Sequence, residues 1–256
     1  MNYVARFFKD GDGIGVEFPD VPGAFTCADS MEEAKQMRDS FINSMSHEIR
    51  TPLNQIYGFV QLLTDPNIQL SDDEKRRYND IIGDQTTYMT RLINKFLEIS
   101  EYESSDEPLP RAMVSIAALY SEVDSIVPRP AEGVELTFSN RSGTDTLETN
   151  GKGLSSILQC LVGNAVKFTA EGFISVECYT DVDGETVFTV ADTGKGIPKS
   201  DDERIFDRFF KEDEFVPGVG LGLPLVRVIA RRMGATVELD RTYAAKGSRF
   251  RVSLKA

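Results

Sequence analysis

Apolar residues in the first half of the chain fall on helical spacings. Read at about 100° per residue, Ile42, Met45, Ile49, Leu53, Ile56, Val60 and Leu63 share one narrow stripe. Ser30-Met-Glu-Glu33 is a capping-box pattern, so the helix is expected to begin there and run past Pro52 to about Leu63. Pro52 cannot donate to the Glu48 carbonyl, which predicts a loosening or bend one turn after residue 47. Thr64 to Leu70, with Pro66, reads as a loop, and Ser71-Asp-Asp-Glu74 starts a second helix. That helix carries Tyr78, Ile82, Gln85, Met89, Leu92, Phe96 and Ile99, with Ile81, Tyr88 and Leu97 widening the face. An antiparallel hairpin cannot cover faces this wide by itself. Pairing of two copies into a four-helix bundle is the expected solution. Packing of the hairpin onto the C-terminal part of its own chain is the alternative.

Strand patterning flanks the hairpin on both sides. Tyr3, Ala5 and Phe7 alternate with Val4, Arg6 and Phe8, then Gly11-Asp12-Gly13 turns the chain into Ile14, Val16 and Phe18, so residues 1–29 predict a small β unit. The Asp10-Gly-Asp12-Gly string is not a calcium loop, because Ile14 and Val21 stand where oxygen ligands are required. After the second helix, residues 105–112 read as a linker containing Pro108 and Pro110. Residues 113–256 mix helix and strand: a helix over Val114 to Ile126, a strand over Val134 to Phe138 and an extended piece over Thr146 to Glu148. A helix with Leu154, Leu158, Leu161, Ala165 and Phe168 as its core stripe comes next, then a hairpin of Ile174 to Thr180 and Thr186 to Asp192 about Asp183-Gly184. A Gly- and charge-rich segment leads to a helix from about Leu221 to Met233, a Gly234 stop and two last strands. Four segments result: 1–29, 30–104, 105–112 and 113–256.

Bulk properties then narrow the function classes. At 256 residues the chain is long enough for two domains and a small appendage. A net charge of −13 argues against nucleic-acid or anionic-membrane partners, which need clustered positive charge. Cys27, Cys160 and Cys178 are isolated and there is one histidine, so zinc is not expected and reduced thiols in a cytoplasmic protein are. No apolar run approaches the ~18 residues of a membrane span, and no signal-peptide pattern follows Met1. A soluble chain without membrane contact is expected.

That single histidine, His47, lies roughly 160° from the apolar stripe on its helix, beside Ser44, Thr51 and Asn54 and next to Glu48. An imidazole held to solvent on a rigid helix with a neighbouring carboxylate is placed to react rather than to pack, although exposed histidines often do nothing. Three later stretches carry chemistry of another kind. In LQCLVGNAVKFT, Asn164 shares a helix flank with Lys167; its amide oxygen can ligand Mg²⁺ and the lysine can meet phosphate. In VFTVADTGKGIP, Asp192 ends a strand and can accept from an adenine amino group, while Gly194 and Gly196 let backbone approach the base. In VPGVGLGLPLV, Gly218, Gly220 and Gly222 precede a helix and offer N–H groups to phosphates. Dinucleotide-fold and P-loop readings fit poorly, because GVGLGL lacks the spacing of the first and the Lys-Ser/Thr of the second.

The string HEIRTPLN resembles the phospho-acceptor box of sensor histidine kinases. The three later stretches, in that order, resemble the N and two glycine boxes of the histidine-kinase ATPase domain, whose fold is shared with gyrase and Hsp90. Ile205-Phe206-Asp-Arg-Phe-Phe210-Lys211 resembles the intervening phenylalanine box. The likeness covers about residues 37 to 256. It implies an antiparallel helical hairpin forming a dimeric four-helix bundle, followed by a GHKL-type α/β sandwich that binds Mg·ATP. It casts His47 as phospho-acceptor, Glu48 as its acid/base partner, and Thr51 as a helper in dephosphorylating a response regulator. Asn164 becomes the Mg²⁺ ligand, Lys167 a phosphate contact, and Asp192 the adenine reader. Residues 199–217 become a mobile lid, with Lys211 reaching the γ-phosphate. Three positions depart from the pattern: Cys160 replaces a common asparagine, Asn150 a common aspartate, and Ala191 a polar residue.

The resemblance implies a kinase that phosphorylates His47 from ATP and passes the group to an aspartate of a response-regulator receiver domain. Neutral imidazole is the nucleophile, so protonation of the ring slows the reaction. The rival from another class is a non-catalytic dimeric scaffold that binds nucleotide and only relays phosphate; the departures at Cys160 and Asn150 are its support. Residues 1–34 resemble the start of HicB-like antitoxin domains, which suits a fused unit aiding dimerisation or solubility. A toxin–antitoxin module would need more of that fold.

Overall fold

A computed structural model describes residues 6–10, 13–17, 25–28, 31–103, 109–211, 220–243 and 245–255. The chain divides into two compact units at residues 104/105. In the first, β1 (Arg6–Asp10), β2 (Gly13–Glu17) and β3 (Phe25–Ala28) form an antiparallel meander in the order β1-β2-β3. Arg6 lies opposite Glu17, and Ile14 opposite Ala28. The Gly11-Asp12 turn and the capping Ser30 lie outside the described residues, as does the side chain of Ile42.

Two long helices follow, α1 (Met31–Thr64) and α2 (Asp72–Glu103). Pro52 does not end α1, which continues for about three turns beyond it. A proline in a helix interior costs about 3 kcal/mol; here the ring is buried, so packing offsets part of that cost. The second capping box forms as its sequence demands: the Glu74 N–H donates to Ser71 Oγ at 3.2 Å, and the Ser71 N–H donates to Glu74 Oε2 at 2.8 Å. These bonds hold the Glu74 carboxyl below the usual carboxylate range, the Ser71 hydroxyl contributing most. The helices meet through Phe59 and Tyr78, whose ring centroids are 5.0 Å apart, and α2 buries Leu92, Ile99 and Tyr102. Leu53 and Tyr57 of α1 and Leu97 of α2 nevertheless stay 51%, 63% and 51% exposed.

The second unit is a mixed five-stranded sheet in the order β5-β7-β8-β10-β9, with a small β4-β6 ribbon beside it. Its elements in chain order are β4 (Ala112–Ser115), α3 (Ile116–Ile126), β5 (Val134–Arg141), β6 (Thr146–Thr149), α4 (Gly151–Phe168), β7 (Gly172–Thr180), β8 (Thr186–Asp192), α5 (Gly222–Met233), β9 (Ala235–Leu239) and β10 (Arg249–Leu254). Two short 3-10 turns, Lys199–Asp201 and Arg204–Phe206, punctuate the charged segment before α5. Among the described strands only β5 and β7 pair in parallel, as expected of strands joined through a helix. Val114, expected in a helix, pairs with Leu147 in the ribbon, and Ser115 caps α3 one residue later by accepting from the Ala118 N–H.

Register decides which residues face the helices. Ile174, Val176 and Cys178 align with Asp192, Val190 and Phe188, and the last two with Phe250 and Val252. This row is buried and covered by α3, α4 and α5: Tyr120 of α3 packs on Phe138 and Phe188 at 5.1 and 6.3 Å. Leu154, Leu158 and Leu161 of α4 and Leu225 and Ile229 of α5 complete the core, each burial worth about 1.5–3 kcal/mol. The alternate row is polar, with Arg251 donating to Asp181 at 2.6 Å. Gly234 closes α5 in the left-handed conformation, φ 69°, as its sequence position predicts. Asp192 thus sits at the end of the covered row.

Candidate functional site

In the second unit, Asp192 is 7% exposed, and burial pushes its carboxyl above the usual range, opposed by backbone N–H groups of Gly194 and Ser248. The Gly194 N–H donates to Asp192 Oδ1 at 2.8 Å, fixing the carboxylate's orientation. Asp192 itself donates its N–H to the Ser248 carbonyl, and a side chain at Gly247 would lie 2.0 Å from the Asp192 carbonyl oxygen. The residues before β10 therefore fit against the end of β8. They carry no sequence signal beyond Lys-Gly-Ser, and sequence reasoning missed them.

At the C-terminal end of α4, Asn164 is half-buried and Lys167 exposed. Partial burial lowers the Lys167 ammonium pKa, as do the charges of Lys211 and Lys195. Lys167 and Lys195 both approach the Phe168 ring, at 4.7 and 5.2 Å from its centroid. Three ammonium groups from α4, the loop after β8 and the lid stem thus influence one another. Lys195 is the addition that sequence reasoning overlooked, although it lies between Gly194 and Gly196 in DTGKGIP. A cationic cluster beside a buried carboxylate accepts an anion and a polar amine together, as a nucleotide requires.

The lid stems are tied at their base. The Phe209 N–H donates to the Gly220 carbonyl at 2.9 Å, and Gly220 has φ 70°, where a side chain would meet Phe209 Cα at 2.7 Å. Gly222 is the first residue of α5. Phe206 packs edge-on against Phe250 at 6.4 Å, under the Arg227 guanidinium, so its ring roots the segment in the core. Gly218 and residues 212–217 of the expected lid lie outside the described residues. Gly196 has φ 79° and faces the Gly247 carbonyl.

Two departures from the family pattern now have positions. Asn150 caps α4: its Oδ1 accepts from the Gly153 N–H and its amide donates to the Pro110 carbonyl, each at 2.7 Å. Fourteen residues along the helix, it lies ~21 Å from Asn164, at the end of α4 remote from the lysines. Cys160 is half-buried one turn before Asn164.

In the first unit, His47 is exposed on α1, and Glu48 beside it is half-buried. The Glu48 carboxylate accepts from the Tyr88 hydroxyl of α2. Thr51 is exposed one turn on, its hydroxyl donating to the His47 carbonyl at 3.2 Å. Among the described residues no cluster of three His, Cys, Asp or Glu side chains could hold a metal, and no helix is long and apolar enough to cross a membrane.

Residues 37–105 match the His Kinase A (phospho-acceptor) domain, and residues 149–256 match the Histidine kinase-, DNA gyrase B-, and HSP90-like ATPase. With the helical hairpin, the covered sheet and the site just described, these give the chain the phospho-acceptor and ATPase domains of a histidine-kinase catalytic core. Among curated relatives it is 28% identical over 237 residues to the Aerobic respiration control sensor protein ArcB of Escherichia coli (strain K12), covering 89% of this chain and 30% of that protein. It is 30% identical over 239 residues to the Virulence sensor protein BvgS of Bordetella bronchiseptica, covering 89% of this chain and 19% of that protein. The chain therefore spans less than a third of the length of these relatives. Among solved structures, full-length ShkA in complex with AMPPNP superposes with a TM-score of 0.62 at 29% identity, over 86% of this chain and 45% of that one.

Proposed function

We propose that this chain transfers the γ-phosphoryl group of ATP to His47 and then to an aspartate on a response-regulator receiver domain. One observation carries the reading: an exposed imidazole beside a carboxylate on α1, in a chain that also carries a nucleotide-type ATPase domain. Asp192 reads the adenine amino group, while Lys167, Lys195 and Lys211 neutralise phosphate charge. One imidazole nitrogen of His47 attacks the γ-phosphorus, the bond to ADP breaks, and the other ring N–H is oriented by Glu48. Mg²⁺ fits this donor set. Such ions keep few protein ligands beside substrate phosphates, and the half-buried Asn164 amide would hold it. When bound it would supply further neutralisation of the phosphate oxygens.

The rival scaffold reading loses half of its support, because Asn150 serves as a helix cap remote from the lysines. Incubation with labelled ATP tests the choice: a kinase acquires acid-labile phosphate unaided, and a passive relay acquires none.

Homodimerisation through residues 30–104 accompanies this reading, with the exposed Leu53, Tyr57 and Leu97 supplying the contact. Light scattering should give twice the chain mass at micromolar concentration, and a monomer would refute the pairing. The strands within residues 1–29 are read as a HicB-like unit that assists it. Residues 113–256 form the catalytic domain after a 105–112 linker. ATP as donor implies a cytoplasmic reaction.

Thr51 gives the third prediction. Its exposed hydroxyl donates to the His47 carbonyl yet keeps lone pairs toward solvent, which suits orienting the water that hydrolyses a regulator's phosphoaspartate. Thr51→Ala should slow regulator dephosphorylation about tenfold and leave labelling of His47 nearly unchanged. If the hydroxyl only supports α1 ahead of Pro52, both rates fall together.

A further inference from the structure

The loop after Asp192 runs through Gly194, Lys195 and Gly196. Its two glycines leave backbone freedom that a binding loop has to lose, so groups outside the loop must hold its shape. The near end is fastened to the sheet. The Thr193 hydroxyl donates to the Glu171 carbonyl and accepts the Phe173 N–H, each at 3.0 Å. Beyond Gly196 the chain leaves the sheet, and Ile197 and Pro198 precede the first 3-10 turn without belonging to a strand. One side chain holds this far end, from forty-four residues away. Arg241, in the turn after β9, donates to the Ile197 carbonyl from Nη1 at 2.7 Å and to the Pro198 carbonyl from Nη2 at 3.1 Å. Its Nε donates to Asp202 Oδ2 at 3.0 Å, so a single planar group spans the turn Lys199–Asp201.

The base from which Arg241 reaches is itself stiff. Asp240 Oδ1 accepts from the Thr242 N–H at 2.8 Å and from the Thr242 hydroxyl at 2.6 Å, while Asp240 Oδ2 accepts from Arg249 Nε at 2.8 Å. Further along the same connection, Gly247 packs against Gly196 and the Asp192 carbonyl. Charge does not explain the arginine. The Arg241 and Asp202 side chains are 35% and 40% exposed, so water screens their attraction. Two of the three bonds go to neutral carbonyls, which call for donors in a fixed plane. A guanidinium supplies them, and a single ammonium does not.

We propose that Arg241 is a positioning residue for nucleotide binding: its guanidinium fixes the outgoing end of the 194–196 loop through the Ile197 and Pro198 carbonyls, and the loop keeps the shape that receives the nucleotide. This rests on the reading of Asp192 and its loop as the ATP site. Without the guanidinium the loop samples other shapes, and apparent affinity falls with the fraction of time spent in the receptive one. Bound nucleotide selects that shape again, so the rate at saturating ATP is preserved.

The test compares Arg241→Ala and Arg241→Lys with Arg251→Ala in the full chain. Arg251 also gives a bond to a carboxylate, Asp181, but Asp181 lies in the turn before β8, at the opposite end of that strand from Asp192. Affinity is read by titration with a fluorescent ATP analogue, kcat and KM by labelling from ATP over a range of concentrations, and folding by melting temperature. Arg241→Ala should weaken affinity and raise KM about tenfold, with kcat nearly unchanged. Arg241→Lys should lose almost as much, because it keeps the charge without the fork, and it decides the matter if the alanine variant does not fold. Arg251→Ala should lower the melting temperature and leave affinity alone. Unchanged affinity in Arg241→Ala would overturn the proposal, as would full affinity in Arg241→Lys, which marks a role for charge alone. Equal losses of affinity in Arg241→Ala and Arg251→Ala would overturn it too, since they mark a general loosening of the domain. A lower kcat with KM unmoved would place Arg241 in transfer and refute a role in binding. Failure of the unmutated chain to bind the analogue would instead bring down the ATP-site reading, and the proposal with it.

Discussion

A His47→Gln protein incubated with labelled ATP and Mg²⁺ should acquire no acid-labile phosphate and should bind nucleotide with unchanged affinity. His47 is the only histidine in the chain, so no neighbouring imidazole can substitute as acceptor. It is exposed, and the contact with Thr51 one turn on is made by its backbone carbonyl, not by its ring. Glutamine keeps a polar side chain of similar reach on the same face of α1, so the hairpin should fold as before. The nucleotide groups, Asp192 and the three lysines, belong to the other unit. Filter-bound label quenched in acid and in base, beside a titration with a fluorescent ATP analogue, reads both halves of the expectation. Label at normal stoichiometry in the variant would remove His47 from the reaction.

Gly194→Ala should weaken nucleotide binding at least about a hundredfold, with its cause in plain sterics. A methyl group there would lie 2.3 Å from the Phe168 carbonyl oxygen and 2.9 Å from Asp192 Oδ1. Neither can yield freely, since one ends α4 and the other is bonded to the Gly194 N–H. Whichever moves, a site residue moves with it: Lys167 at the end of α4 or Asp192 at the end of β8. Gly163→Ala, in the same helix with nothing within 4 Å of the added carbon, is the matched control. It should leave affinity alone and raise the melting temperature slightly, as alanine is the better helix former by about 1 kcal/mol. Equal affinities in the two variants would contradict the placement of Gly194.

Local chemistry explains what could be read in advance. The Ser71–Glu74 box and the Gly234 stop each depend on a few consecutive residues, and both form as their sequences specify. Asp192 was legible because strand period and the following glycines put it at a strand end. What escaped depends on partners distant in sequence. Val114 continues an apolar pattern that suits a helix, but pairing with Leu147 draws it into a ribbon. Tyr88 reads in the sequence as one more apolar position, and only the fold brings its hydroxyl to Glu48 on the neighbouring helix. Lys195 lay in plain view between two glycines, yet its influence on Lys167 needs the fold that brings the loop to the end of α4.

Asparagine at position 150 also changes how the domain meets the segment that enters it. An aspartate could cap α4 equally well, since only an acceptor for the Gly153 N–H is needed. It could not donate to the Pro110 carbonyl, as the Asn150 amide does. The side chain is therefore a two-ended clip, with one end on the helix and the other on the incoming chain. Arg111 adds a second fastening through the Glu148 carbonyl. Together the two bonds tether the chain at residues 110 and 111 to β6 and the N-terminal end of α4, at the opposite end of that helix from Asn164 and Lys167.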